Sequence, residues 1–142
     1  MKAGDLMTAN PVTVKPTTTI AEAWDLMTAL EIRHLPVLEN GRMVGIVSDR
    51  DLAVLDLGRL YTEEGAEAVR RALARSVEEV MSTGVVQVEP GTELIDIVGL
   101  LIDHKVGALP VVHPDTGEVL GIVSYLDVLR ELQDVLQEIR RG

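Results

Sequence analysis

The segment Gly45-Ile46-Val47-Ser48-Asp49-Arg50-Asp51 returns later in the chain as Gly121-Ile122-Val123-Ser124-Tyr125-Leu126-Asp127. An internal repeat constrains a fold more than any local propensity does, because each copy has to build the same supersecondary unit. Aligning Met7 with Met81 places Val12 and Val14 on Val86 and Val88, Pro16 on Pro90, Thr18 on Thr92, and Leu35-Pro36-Val37 on Leu109-Pro110-Val111. The offset changes only at one turn, where His113-Pro114-Asp115-Thr116-Gly117 stands against Glu39-Asn40-Gly41. The chain is a tandem duplication.

Each copy reads as strand, helix, strand, strand, helix, which gives an α/β (α+β) fold of tandem β-α-β-β-α repeats. Pro11-Val12-Thr13-Val14 is the expected first strand. Thr18 or Thr19 caps a helix whose apolar stripe is Ile20, Ala23, Trp24 and Met27, with Glu22 placed for a capping box on Thr19 and Trp24 expected in the core. Leu94, Ile97, Val98 and Leu101 repeat the stripe. Asn40-Gly41 lies between two apolar runs and suits a tight hairpin, since both residues accept a positive φ. Helices are expected after Ser48 and after Ser124. Pro36 and Pro110, inside strands, imply an edge or a missing ladder bond, and Gly45 and Gly121 imply close approach of a facing segment.

These readings divide the chain into a first repeat (1–57), a helical connector (58–78) and a second repeat with an extended C-terminal helix (79–142). In the connector, Glu63 to Arg75 reads as a charged helix, and Ser76 with Glu79 as a further capping box. In the last helix Val128, Leu132, Val135, Leu136 and Ile139 share a face that is expected to pack on something. A unit this small buries too little surface for a secure core. The two repeats are therefore expected to pack sheet to sheet about a pseudo-two-fold axis, forming one module with two equivalent clefts between them, where a ligand would enter.

Composition narrows the function. With 46% hydrophobic but only 2% aromatic residues and no Phe, aliphatic side chains must fill the interior, as in sheets covered by helices. The net charge of −10 comes without any run of Lys and Arg, which argues against nucleic acid as a partner. The absence of Cys excludes disulfides, a thiol nucleophile and Cys-based zinc sites. His104 and His113 lack a metal-ligating partner at helical spacing, so no metal is expected. The start resembles no signal peptide and no stretch reaches membrane-spanning length, which leads to a cytoplasmic protein without a membrane partner as the expectation. No Ser-His-Asp elbow, P-loop or G-x-G-x-x-G is present, so binding without catalysis is expected.

The order of strand, capped helix, Leu-Pro-Val, hairpin and Gly-Ile-Val-Ser-x-x-Asp, given twice over residues 5–52 and 79–128, resembles the cystathionine-β-synthase-like (CBS) domain pair, or Bateman module, here standing alone. The resemblance implies a regulatory module that binds AMP, ADP, ATP or S-adenosylmethionine in the clefts between the repeats, needs no cofactor, and forms a homodimer that acts on an unidentified regulated protein. By position, Asp51 and Asp127 match the family's ribose-binding aspartate, and Ser48 and Ser124 the hydroxyl that meets sugar or phosphate. Val12, Thr13 and Val14, and Val86, Gln87 and Val88, match the segments that receive adenine, with Pro36 and Pro110 alongside. Arg33 and His34 match basic phosphate contacts.

The same residues have a purely structural use. Ser at an N-cap with Asp at the third helical position is a capping box, worth about 1 kcal/mol without any ligand. Arg33 can pair with Glu31 or Glu39 at the surface, where an ion pair contributes little. Arg50 adds a third cation to Arg33 and His34, or else a solvated surface charge. The second copy carries Gly107 and Ala108 where the first has Arg33 and His34, so an anionic tail is expected nearer the first. Two functions in different classes follow: a sensor of adenosine ligands, and a ligand-free scaffold for dimerisation or protein interaction, which the nearly all-apolar segment Leu94 to Ile102 favours.

Overall fold

The computed structural model describes residues 1–53 and 63–142. In chain order its elements are α1 (Ala3–Leu6), β1 (Thr8–Ala9), α2 (Ile20–Leu30), β2 (His34–Glu39), β3 (Arg42–Ser48), α3 (Asp49–Leu52), α4 (Glu63–Ala74), a 3-10 turn (Val77–Glu79), α5 (Leu94–His104), β4 (Ala108–Val112), β5 (Val119–Ser124) and α6 (Tyr125–Arg141). The repeat boundary read at 57/58 lies outside the described residues. The chain forms two compact units, Val12–Val85 and Met1–Pro11 with Val86–Gly142.

In the Val12–Val85 unit β2 and β3 form an antiparallel hairpin, with His34 opposite Ser48 and Val37 opposite Gly45. Asn40 (φ 52°) and Gly41 (φ 78°) make the turn, as their types require. Thr19 caps α2 through a reciprocal box with Glu22, each bond 3.1 Å. Glu31, in the left-handed region at φ 54°, ends that helix and turns the chain into β2. The expected first strand shrinks to one residue. Val14 bridges β2 in parallel, its N–H donating to the Pro36 carbonyl at 3.0 Å and its carbonyl accepting from Leu38 at 2.8 Å. Because N–H and C=O of one strand residue point the same way, the donor that Pro36 lacks lies on this sparsely bonded side, and the β2–β3 ladder loses nothing.

Behind the hairpin, Ile20, Ala23, Met27, Leu35, Val37, Val47, Leu52 and Val77 make a buried aliphatic core. Trp24 is not part of it. The residue is 46% exposed, because the buried stripe of α2 narrows to Ile20, Ala23 and Met27 and leaves position 24 on the flank. Ser76 forms no side-chain cap either. A 3-10 turn follows it, and Glu79 accepts instead from Arg75 Nε at 2.9 Å.

The other unit repeats the plan around Ala3, Val88, Ile97, Leu109, Val111 and Val123, with β1, β5 and β4 in one antiparallel sheet. Each lead-in segment packs on the repeat that does not follow it. Met81, which precedes the second repeat, lies against Gly45 of the first, where a Cβ would meet its Sδ at 2.6 Å and the Ser82 carbonyl at 2.8 Å. Met7, at the head of the first repeat, lies against Gly121 of the second, where a Cβ would stand 2.5 Å from its Sδ. The steric expectation for both glycines therefore holds, with a methionine in each case as the facing group.

α6 runs 17 residues and buries none of them. Val128 packs against the core, but Leu132, Val135, Leu136 and Ile139 stay exposed, so the face expected to be covered is open. The helix outruns the small sheet beneath it.

Candidate functional site

Each hairpin delivers its Ser to the end of a strand and starts a helix there. Ser48 Oγ accepts from Asp51 N–H at 3.3 Å, while Asp51 Oδ2 accepts from Ser48 N–H at 2.8 Å and from Ser48 Oγ–H at 3.1 Å. Ser124 and Asp127 repeat this at 3.3, 2.8 and 3.0 Å. The structural use of Ser-x-x-Asp is thus realised in both units. It engages Oδ2 alone. The second oxygen of Asp51 stands outside the box, and Asp127 Oδ1 lies 3.9 Å from an Arg130 guanidinium nitrogen.

Strand pairing brings the other expected residues of the first unit to the same end. His34 opposes Ser48 across the hairpin. The Arg33 carbonyl accepts from Asp49 N–H at 2.9 Å, which fixes Arg33 beside the start of α3. Asp49, Asp51, Arg33 and Arg50 all act electrostatically on His34. Val14 is buried beside β2, and the parallel sense of its bridge leads Thr13 and Val12, both exposed, back toward the His34 end of the strand. Pro36 is fully buried, and its carbonyl is the one that accepts from Val14 N–H. Val88 and Pro110 are buried alike in the second unit, with Val86 half-buried and Gln87 exposed.

The second strand end has the same backbone and other side chains. Gly107 carbonyl accepts from Tyr125 N–H at 3.0 Å, matching Arg33 and Asp49, and Ala108 opposes Ser124 as His34 opposes Ser48. Where the first unit carries Arg33, His34, Asp49 and Arg50, the second carries Gly107, Ala108, Tyr125 and Leu126. Sequence reasoning noted the first two differences. The other two stood in the variable middle of Gly-Ile-Val-Ser-x-x-Asp and were passed over.

Also passed over was an open groove of about 330 Å³ in the first unit, edged by Trp24, Thr28, Glu31, Arg33 and Asp49. A lone Trp in a chain nearly without aromatics was its signal. Arg33 forms no ion pair with Glu31 or Glu39 in the structure; the described salt bridges are Arg70–Glu67, Arg75–Glu79 and Arg130–Asp127. His113 has a local use, its Nδ1 accepting from Asp115 N–H at 3.1 Å within the turn. No group of three His, Cys, Asp or Glu side chains is placed to hold a metal among the described residues.

Burial lowers the pKa of His34, with Asp49 and Asp51 opposing that shift and Arg33 and Arg50 adding to it. Between the lowered folded value and the ordinary one near 6.5, the unfolded chain binds more protons than the folded chain, so stability rises with pH across that window. Acidification from pH 7 through this range is expected to lower the melting temperature of the wild type, and His34→Gln is expected to flatten the dependence. Equal slopes in both proteins would show that folding leaves the His34 pKa where the unfolded chain has it.

A family model described as CBS domain matches residues 3–58 and 77–134. The CBS domain-containing protein YhcV of Bacillus subtilis is 35% identical over 124 residues, covering 87% of this chain and 80% of that protein. A homoserine O-acetyltransferase of Methanocorpusculum labreanum is 33% identical over 138 residues, covering 96% of this chain but only 25% of the enzyme. Among solved structures, CBSX2 of Arabidopsis thaliana in complex with AMP matches with a TM-score of 0.75 at 31% identity, covering 94% of this chain and 97% of that one.

Proposed function

Since the chain belongs to the CBS domain family and carries the repeat twice, we propose that it is a regulatory module that binds adenosine-containing ligands, AMP, ADP, ATP or S-adenosylmethionine, and does not transform them. The observation that carries this reading is the strand end at which Ser48, Asp51, Arg33 and His34 meet, with Ser124 and Asp127 in the same backbone setting. A carboxylate with one oxygen outside its cap can accept ribose hydroxyls, each such charge-assisted bond being worth about 1.5–3 kcal/mol. Arg33 and Arg50 are the cations for a phosphate, with His34 beside them as an imidazole hydrogen-bond partner, and Val12 with Thr13, and Val86 with Gln87, the surfaces for adenine. The AMP complex of CBSX2, at 31% identity, supports the ligand class.

Such a module signals only if its ligand binds two arrangements of the protein with different affinity. We place the second arrangement in a homodimer that contacts a regulated protein in the cytoplasm. No helix among the described residues is long and apolar enough to cross a membrane. α6 supports dimerisation: Tyr125, Leu129, Leu132, Leu136 and Ile139 recur in alternating steps of four and three, the spacing that lets two helices pair, and all are exposed. That same stripe favours the second reading, a scaffold without ligand. Thermal denaturation with AMP, ADP, ATP, S-adenosylmethionine and ribose 5-phosphate separates the two. A sensor melts several degrees higher with at least one adenosine ligand and not with ribose 5-phosphate, by mass action on the folded state. No shift at millimolar ligand would leave the scaffold.

A further inference from the structure

We propose that Met7 and Met81 are equivalent oxidation sites: hydrogen peroxide converts their thioethers to sulfoxides, and each sulfoxide loosens a lead-in segment from the strand it covers. The inference stands on the fold and not on the adenosine reading.

With no Cys in the chain, its only sulfur atoms are the thioethers of five methionines. Their settings differ. Met1 is 56% exposed and Met43 half-buried in β3, while Met27, 6% exposed, belongs to the core of the first unit. Met7 and Met81 are half-buried, yet each rests on a glycine of a sheet strand. The seat is built from the same atoms in both units. A Cβ on Gly121 would stand within 2.8 Å of Met7 Sδ, Met7 Cγ and the Thr8 carbonyl oxygen, and a Cβ on Gly45 within 2.9 Å of Met81 Sδ, Met81 Cγ and the Ser82 carbonyl oxygen. Glycine removes the side chain that would separate sulfur from strand, so the thioether lies against backbone.

A soft, apolar thioether suits that seat. In the oxidation a sulfur lone pair attacks one oxygen of hydrogen peroxide, the O–O bond breaks, and the second oxygen leaves as water with both protons; sulfur loses two electrons and the peroxide gains them. The sulfoxide puts an extra atom where the seat is already filled, and close packing tolerates that poorly. It also puts a hydrogen-bond acceptor beside a carbonyl oxygen, another acceptor, which leaves it without a donor. The neighbouring residue in each segment holds the strand: Thr8 pairs with Ile122 of β5, and Ser82 exchanges bonds of 2.9 and 3.0 Å with Ile46 of β3. Displacement of the methionine therefore pulls directly on those pairs.

Graded hydrogen peroxide treatment of the full chain, followed by peptide mass spectrometry, hydrogen exchange and thermal denaturation, tests this. Sulfoxide is expected at Met7 and Met81 and not at Met27, with faster exchange in β5 and β3 and a melting temperature lower by several degrees. Methionine sulfoxide reductases with a dithiol are expected to restore both. The double variant Met7→Leu with Met81→Leu keeps an apolar side chain of similar volume on each glycine, and its melting temperature is expected to ignore the same treatment although Met1, Met27 and Met43 remain. Unchanged exchange in β3 and β5 of wild type oxidised at both residues would overturn the proposal. So would Met7 and Met81 left unmodified at doses that oxidise Met1, or an equal fall in melting temperature for the double variant.

Discussion

Deleting residues 1–9 is expected to unfold the unit that contains Val86–Gly142 while the Val12–Val85 unit keeps its hairpin. The deleted segment contributes fully buried Ala3, packs Leu6 and Met7 on the same core, and pairs Thr8 with Ile122 at the edge of β5. It also donates from Ala3 N–H to the Thr92 carbonyl at 2.8 Å and from Gly4 N–H to the Pro90 carbonyl at 2.9 Å, and its Met1 carbonyl accepts from Leu94 N–H at 3.0 Å. Backbone bonds contribute about 1 kcal/mol each and buried aliphatic side chains about 1.5–3 kcal/mol. Together these reach roughly the whole stability of a small domain, about 5–15 kcal/mol. Loss of β1 also bares one edge of β5, a site for unwanted strand pairing. Hydrogen exchange read by mass spectrometry gives the result directly: amides of β4, β5 and α5 lose protection, and those of β2 and β3 retain it. Unchanged protection in β5 would mean that the lead-in segment is an ornament.

That exchange of lead-in segments was not legible in the sequence. The alignment of Met7 with Met81 showed that the two segments are equivalent, and Gly45 and Gly121 showed that something packs closely there. Neither says which repeat a segment serves, because apolar periodicity marks a buried face without naming its partner. The repeat, the hairpin turn at Asn40-Gly41 and the Thr19–Glu22 cap were legible because each depends on residues close together in the chain. Trp24 and the α6 stripe misled for a related reason. Both show the spacing of a buried face, but a helix longer or wider than the sheet it covers leaves part of that face open.

The candidate site was legible as a set of residue types and only half legible as chemistry. Ser-x-x-Asp announces a helix start in any protein, and the reciprocal bonds of Ser48 with Asp51 show that this use is met. What the proposed site adds to a cap is the convergence of Arg33 and His34 on the same strand end, which follows from the antiparallel register and from no local pattern. The variable pair Asp49-Arg50 against Tyr125-Leu126 carried information that a search for agreement between the copies discards. Differences between equivalent positions point to specificity, and agreement points to shared geometry.

Replacing both carboxylates, Asp51→Asn with Asp127→Asn, is expected to weaken the adenosine ligands about tenfold to a hundredfold. An amide fills the same space and its oxygen still accepts from the Ser N–H, so the cap survives in reduced form. What is lost is the charge that strengthens bonds to ribose hydroxyls, about 1.5–3 kcal/mol per bond, where 1.4 kcal/mol is tenfold in affinity. The unliganded melting temperature should fall by only a few degrees, since a cap is worth about 1 kcal/mol in total.

The most direct measurement is calorimetric titration of AMP into the wild type and into this double variant, with hydrogen exchange confirming that both are folded. The account predicts saturable binding to the wild type and at least a tenfold loss in the variant. Binding of equal strength in two equally folded proteins would contradict it, because it would show that the paired aspartates start helices and do nothing more.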